Sequence, residues 1–382
     1  MRKISIVIWL VFSVTLTGCA GIKNIQDLTY IVAIGMDYDD ETEEYIVFLQ
    51  GLNFANIAKQ EGGKPVGPVP IYIASARGES INLAISNLYK KSEPPLFFGH
   101  VRTLVMSQKL INEKADQVLE EIARNRSVRH RLRLVTTEES IEEVLNIKAL
   151  FDYPAVYTVL YREKVKGLAQ EELNPTSLLY FLRDYYEPMG VAKIPIVKID
   201  KATWFADEDY PILFFDGYSV FSKQKFITNI PIEDSIFIEW LQEERISLNE
   251  KVEEDGKIAA VLNIDRPKMK IKYDKNTSQP KMTLKISVNA DVVGKMTDIK
   301  INKLKKIMEK NIQERVERIY LNGVEEQIDI FNFGEGWFRK YPKQFKKLKN
   351  NNEFYLTEDS LQKVEVDVQI LNFNSYEYEK HS

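Results

Sequence analysis

The chain has 382 residues, a length that suits two or three domains rather than one. Its 52 Lys and Arg face 56 Asp and Glu, and the resulting net charge of −4 and pI of about 5.7 argue against a dedicated nucleic-acid binder. With 44% hydrophobic and 28% charged residues and a mean hydropathy of −0.28, the chain is neither disordered nor polytopic, and one Cys and three His leave little for disulfide, thiol or metal chemistry.

The N-terminus opens with Arg2 and Lys3, then a nearly continuous apolar run over residues 4–16. A helix of that length covers about 20 Å, short of the roughly 30 Å hydrocarbon core, so the run reads as a signal peptide over 1–18. It ends in Leu16-Thr17-Gly18-Cys19, a pattern similar to the bacterial lipobox. Small residues before the cysteine let an extended chain enter a peptidase. The Cys19 thiol is the nucleophile that accepts a diacylglycerol group, and cleavage after Gly18 makes it the new N-terminus. Two acyl chains at about 0.8 kcal/mol per CH₂ give stable attachment without a spanning helix. Cys19 is thus the candidate lipidation site, residues 19–28 are a lipidated tether, and the expected location is the outer face of the cytoplasmic membrane.

Beyond the tether the expected class is α+β and multi-domain, with mixed sheets and helices packed against them. Tyr30–Met36 and Tyr45–Phe54 read as strands joined across acidic Asp37–Glu44, and Ile71–Ala74 as a third. Ser80–Lys91 places Ile81, Ala84, Ile85 and Leu88 on one helical face. A strand at Val101–Met106, a helix from Gln108 to Arg124, a strand at Leu132–Thr136 and a helix at Glu138–Ile147 follow. Residues 151–187 are aromatic and read as helical, with Asn174-Pro175-Thr176 as the start signal for SLLYFLRDYYE. Val191–Ile199, interrupted by Pro195, reads as an edge strand. The polar stretch 200–212 then separates an N-terminal module over 29–199, large enough for two subdomains, from a C-terminal α+β domain over 213–375.

The second half opens with a strand at Phe214–Phe221 and a helix at Asp234–Gln242. Residues 257–273 read as two short strands around Asp265-Arg266-Pro267. Lys281–Val293 alternates cleanly, with Met282, Leu284, Ile286, Val288, Ala290 and Val292 on one face. Ile299–Leu321 is the clearest helix, with Ile301, Leu304, Met308, Ile312, Val316 and Ile319 as its stripe and Asn322-Gly323 as its stop. Trp337–Lys349 is helix-like, basic and aromatic, and Val364–Leu371 closes the domain as a strand.

Catalytic chemistry finds little support. No Gly-x-Ser-x-Gly elbow is present, and lipidation would consume Cys19. His130 lies among arginines and His381 in the tail, which leaves His100 as a base without a sequence neighbour to orient it; a turn or core residue bonding backbone is the better reading. Asp37-Tyr38-Asp39-Asp40-Glu41 begins like a calcium loop but has Thr42 where the sixth-position Gly belongs and Phe48 in place of the closing Glu. Gly334-Glu335-Gly336 is half of a dinucleotide fingerprint without the strand and helix around it. No cofactor and no metal are expected. Two basic segments, Arg124 to Arg133 and Lys340 to Lys349, read as solvated faces near helix ends, or as contacts for acidic headgroups or an acidic partner.

Four stretches, in order, carry a resemblance: the lipobox with LTYIVAIGMD at Leu28–Asp37; Phe98-Gly99-His100-Val101-Arg102; Gly217-Tyr218-Ser219-Val220-Phe221 with Lys225 and Glu239-Trp240-Leu241; and Asp329-Ile330-Phe331-Asn332-Phe333-Gly334 with Arg339-Lys340-Tyr341-Pro342. Together they resemble the Ger(x)C family, the lipoprotein C subunits of spore germinant receptors. Where that family usually has Trp-Asp after the lipidated Cys, this chain has Ala20-Gly21-Ile22, and Phe345 stands where a Trp is expected. The resemblance implies a non-enzymatic, lipid-anchored subunit that serves receptor assembly or the signalling of nutrient-induced germination at the inner membrane of the spore. It implies two membrane-embedded partners, the A-type and B-type receptor subunits, with membrane lipid held through the diacylglycerol anchor and no nucleic acid. The alternative is a solute-binding lipoprotein of a membrane transporter, which needs two matched lobes; the two halves here look unlike.

Overall fold

In the computed structural model, which describes residues 29–52, 70–93, 95–124, 129–163, 169–187, 190–243, 246–275, 277, 279–349 and 354–373, the β-branched and aromatic runs become two mixed sheets. The signal peptide, Cys19 and the tether lie outside the described residues. In chain order the strands and helices begin with β1 (Thr29–Asp39), β2 (Glu44–Leu52), β3 (Tyr72–Gly78), α1 (Ile81–Tyr89), β4 (Leu96–Phe97), β5 (Thr103–Ser107) and α2 (Gln108–Arg124). Next come β6 (Arg133–Thr137), α3 (Ile141–Asn146), β7 (Ala169–Gln170), β8 (Thr176–Ser177), α4 (Leu178–Tyr186), β9 (Val191–Asp200), β10 (Ile212–Ser222), β11 (Lys225–Pro231) and α5 (Ile232–Gln242). The remainder is β12 (Ile246–Glu254), β13 (Lys257–Tyr273), β14 (Met282–Lys295), α6 (Ile301–Glu325), α7 (Phe333–Lys340), α8 (Pro342–Lys349) and β15 (Leu361–Phe373). The α+β class expected from sequence is the class observed.

The first sheet runs β11-β10-β9-β6-β5-β1-β2-β3, with β4 beside β1 and β8 beside β6. Parallel pairs β1·β5, β5·β6 and β6·β9 occupy its centre, and antiparallel hairpins flank them. One face is covered by α1, α2 and α4 through Ile81, Leu110, Val118, Leu119, Ile122 and Phe181. The other face meets α3, three 3₁₀ turns between residues 150 and 161, and α5. Buried polar groups pin α3 and those turns to the sheet: Gln50 Nε2 donates to the Leu145 carbonyl (2.5 Å) and Thr103 Oγ1 to the Leu160 carbonyl (2.5 Å), and the Tyr161 hydroxyl donates to Gln50 Oε1. Each satisfies groups whose orphaning would cost about 1–3 kcal/mol.

Residues 200–212, expected to lie between an N-terminal module and a C-terminal domain, connect β9 to β10. β9 and β10 pair antiparallel from Val191↔Ser222 to Asp200↔Ile212, so the first sheet continues to Pro231 and the change of sheet falls at α5. Pro195 therefore does not mark an edge strand. Its carbonyl accepts from Thr136 Oγ1 (3.5 Å), so the side of the residue that lacks an N–H faces β6, where pairing is limited to Thr136↔Ile196 and no ladder bond is lost. Gly217 bulges β10 with φ +139°, and a Cβ there would meet the Ile230 carbonyl at 2.1 Å.

The second sheet runs β15-β14-β13-β12-β7. The six alternating residues of β14 are all buried, as the period of two requires. Residues 257–273 form one long strand: Arg266 takes φ +46° in a bulge, and the ladder to β14 resumes at Lys268↔Ser287. α6 covers this sheet with Leu304, Met308, Ile312, Val316 and Ile319, while Ile301 is 44% exposed. The helix runs past Asn322-Gly323 to Glu325. α7 and α8 divide the basic aromatic segment at Tyr341-Pro342, with Phe338 against buried Phe345 (4.7 Å between centroids). Among the described residues of 151–177 the chain forms 3₁₀ turns and two short strands rather than the expected helix, with Pro154 and Pro175 among the residues that break a helix there. The N-cap of α4 is Ser177, without a side-chain cap bond, and Thr176 pairs in β8 instead of capping.

Candidate functional site: a polar groove beside α5

α5 is the element that joins the two sheets, and its sequence explains how it offers a polar face. Phe237, Ile238, Trp240 and Leu241 are buried, Trp240 lying 5.3 Å from Phe237. One turn of helix therefore aims Glu239, Gln242 and Glu243 the other way, toward α4 and β9. There they line a groove of about 850 Å³, with Arg131, Arg133, Asn174, Arg183, Lys193 and Tyr218 among its other walls and Asn332 contributed by the turn before α7.

Glu239 is the hub. Its carboxylate accepts from the Asn174 backbone N–H (3.1 Å), from Asn174 Nδ2 (2.8 Å) and from the Tyr218 hydroxyl. Asn174 Nδ2 also reaches Glu243 Oε2 (3.3 Å). Burial raises the Glu239 carboxyl above its ordinary range, against the opposing pull of these donors and of Lys193. Burial likewise pushes the Tyr218 hydroxyl well up, and the neighbouring Glu239 charge adds to it. Half-buried Lys193 donates to Gln242 Oε1 (3.4 Å), and desolvation lowers its ammonium. Gln242 Nε2 in turn donates to the Phe331 carbonyl (3.2 Å), tying the groove to the Asp329–Gly334 motif. Arg133 sits 3.6 Å from Glu163, and its desolvation lowers the guanidinium. Arg183 grips Asp184 through two bonds of 2.6 and 3.0 Å.

The groove gathers side chains of both charges. Tyr218 keeps its proton against Glu239, and neither His nor Cys is among the lining residues described. Cations from α4, β6 and β9 face carboxylates from α5, so the groove suits a polar, charge-bearing occupant.

The other residues singled out in sequence have separate places. Cys19 and His381 lie outside the described residues, as does Arg126. His100 is exposed in a 3₁₀ turn, with Tyr30 (5.1 Å) and Phe97 (5.6 Å) against its ring. The acidic β1–β2 turn engages protein cations: Asp39 pairs with Arg77 (2.5 Å) and Asp40 with Lys109 (3.1 Å). Gly334 and Gly336 are glycines because tyrosines pack on them; added Cβ atoms would meet Tyr355 Oη at 2.2 Å and Tyr273 Oη at 2.4 Å. Of the basic segments, Arg131 and Arg133 reach the groove, Arg124 pairs with Glu120, and Lys340 lies 5.7 Å over the Tyr273 ring. Sequence reasoning passed over Lys193, whose signal is a lysine inside the apolar run Val191–Ile199. Among the described residues no group of three or more His, Cys, Asp or Glu is placed to hold a metal, and no helix is long and apolar enough to cross a membrane.

Comparison with known proteins matches the same chain almost end to end. The family described as spore germination protein N-terminal domain matches residues 21–199, and the family described as spore germination B3/GerAC like, C-terminal, matches residues 216–374. The chain is 26% identical to spore germination protein KC of Bacillus subtilis, over 94% of this chain and 93% of that protein. It is 24% identical to spore germination protein GerQC of Bacillus cereus, over 88% of this chain and 92% of that one. The crystal structure of the GerBC protein has the same fold, with a TM-score of 0.52 at 16% identity, covering 89% of this chain and 97% of that one. The chain therefore belongs to the GerAC-like family of spore germination proteins, the Ger(x)C family.

Proposed function

We propose that this protein is the C subunit of a spore germinant receptor, a lipid-anchored and non-enzymatic component needed for receptor assembly or for signalling nutrient-induced germination. The observation that carries the reading is the ordered, near full-length match to spore germination protein KC. The groove agrees with a binding role, since its carboxylate Glu239 is held by Asn174 and Tyr218 beside Arg133, Arg183 and Lys193.

In this reading Cys19 carries the diacylglycerol and holds the body at the outer face of the cytoplasmic membrane, which becomes the inner membrane of the spore. The anchor raises the local concentration of the body near its A-type and B-type membrane partners, so modest interfaces suffice. Cys19→Ala should release the protein from the membrane fraction while the melting transition of the body is unchanged; full membrane retention of the variant defeats the anchor. Deleting the gene and germinating spores on a panel of small nutrients tests the receptor role. Loss of the response to a nutrient, with the partner subunits depleted from the spore membrane, is the expected result, and a normal response to every nutrient with intact partners counts against it.

A further inference from the structure

Away from the groove, five exposed aromatic rings gather on two loops: Phe151 (80% exposed), Tyr153, Tyr157, Trp204 and Phe205 (74%). None of them lines the groove. The rings of Phe151 and Tyr153 lie 6.4 Å apart, and those of Tyr153 and Tyr157 5.9 Å. Tyr210 locks the loops together: its hydroxyl donates to the Ala149 carbonyl (2.9 Å) and accepts from the Asp152 N–H (2.9 Å). A second tie joins Lys201 Nζ to Glu143 (3.8 Å). The 204–210 loop is closed on itself by the Phe205↔Asp209 bridge and by Tyr210 N–H to the Trp204 carbonyl (2.9 Å). Phe151 and Asp152 both take left-handed backbone, φ +62° and +57°, a conformation that Asp tolerates and a bulky Phe does not favour. The backbone is thus held in an unfavourable conformation that turns a large ring to solvent. Single exposed rings are ordinary, whereas five on two loops tied to each other mark a contact surface.

The charge around the rings selects the occupant. Residues 142–152 and 200–209 contain seven carboxylates against two lysines. Both lysines are already matched, Lys148 to Asp152 and Lys201 to Glu143. Glu142, Asp207, Glu208 and Asp209 stand exposed at the rim. Such a rim repels an anionic bilayer. It attracts cations, and so do the faces of the rings.

We propose that this aromatic, acid-rimmed face docks a segment of a partner protein that carries Lys or Arg beside apolar side chains. The apolar bodies cover the rings, one cation lies over a ring face, and its neighbours meet the rim carboxylates. The inference rests on these two loops and stands apart from the receptor reading.

The test places the photo-crosslinking residue benzoylphenylalanine at Phe205 in the full chain, expressed in cells that naturally make the protein, and sequences the adduct peptides by mass spectrometry. An unchanged melting transition of the labelled chain establishes that it folds. The expected adducts fall on one partner protein, within a segment containing Lys or Arg. Their yield drops severalfold when Asp207 and Glu208 are both changed to Lys, and again with Trp204→Ala. Adducts on lipid, on a second copy of this chain or on a segment without cations overturn the proposal. So does the absence of adducts, or a yield that survives charge reversal.

Discussion

Asp329 is 3% exposed, yet its carboxylate has three donors: the N–H groups of Phe333 (2.9 Å) and Gly334 (2.5 Å) and the hydroxyl of Tyr355 (2.9 Å). It caps the start of α7, where Asn332 turns the chain with φ +56°. Burial outweighs the donors and raises the carboxyl from 3.8 to about 6. Because the folded value lies above the unfolded one, the folded state binds the proton more tightly. The stabilisation from that proton is fully present below pH 3.8 and is lost as pH rises to about 6, at a cost of about 3 kcal/mol. Asp329→Asn removes the titration. It also sets an amide NH₂ against a backbone N–H, for a pH-independent penalty of about 1–3 kcal/mol. Denaturant melts of both forms between pH 4 and 7 should therefore converge as pH rises, with wild type losing its advantage; parallel curves would show that the buried carboxyl does not titrate in this range.

At the scale of elements, Gly323 shows how packing overrides local preference. Asn322-Gly323 reads as a helix stop, but α6 continues to Glu325 and Gly323 is buried within it. The Ile328 N–H bonds back to the Gly323 carbonyl (2.7 Å), and a Cβ on residue 323 would meet the Ile328 carbonyl at 2.8 Å. Helix propensity alone predicts a gain of about 1 kcal/mol for Gly323→Ala. The close approach of the returning chain predicts instead a loss of about 1–3 kcal/mol, the usual cost of overpacking. A thermal melt decides by its sign. The same contrast explains what the sequence made legible. α6 and β14 carry their own periodicity, 3.6 and 2, and apart from exposed Ile301 the residues the pattern names are buried. Residues 151–177 lack any period, and the 3₁₀ turn at Val159–Tyr161 is held by Gln50 and Thr103 on distant strands. β12 was not legible because, between Asn249 and Glu254, only Val252 is fully buried. The groove was visible only in pieces. Tyr218, Glu239 and Asn332 fall within motifs, but what brings them to Arg133 and Lys193 is the pairing of β9 with β10 and the placement of α5, neither of which is a local property.

For the whole molecule, the decisive joint lies where α5 meets α6, because there the element that ends the first sheet packs on the helix that covers the second. Arg315 spans it: Nη1 donates to Glu250 on β12 (2.7 Å), Nη2 donates to the Glu233 carbonyl (2.6 Å), and the guanidinium lies 4.5 Å from the Phe237 ring centre. One turn on, Arg318 holds Asp234 through two bonds of 2.9 and 2.6 Å. A planar fork with several donors suits this position better than a lysine would. Burial raises the Glu250 carboxyl, and Arg315 opposes that rise. Removing the arginine strands a partly buried carboxylate, so Arg315→Met should cost about 2 kcal/mol at neutral pH, below the 3–5 kcal/mol of fully buried pairs because both partners keep some water. In the variant Glu250 titrates higher still, and its folded-state proton compensates more of the loss as pH falls, so the penalty should shrink toward pH 4. Glu250→Gln in the same background removes the stranded charge and should recover part of the stability. If the double variant is no more stable than Arg315→Met alone, the arginine acts through its contacts to Glu233 and Phe237, and the ion pair is not what joins the two sheets.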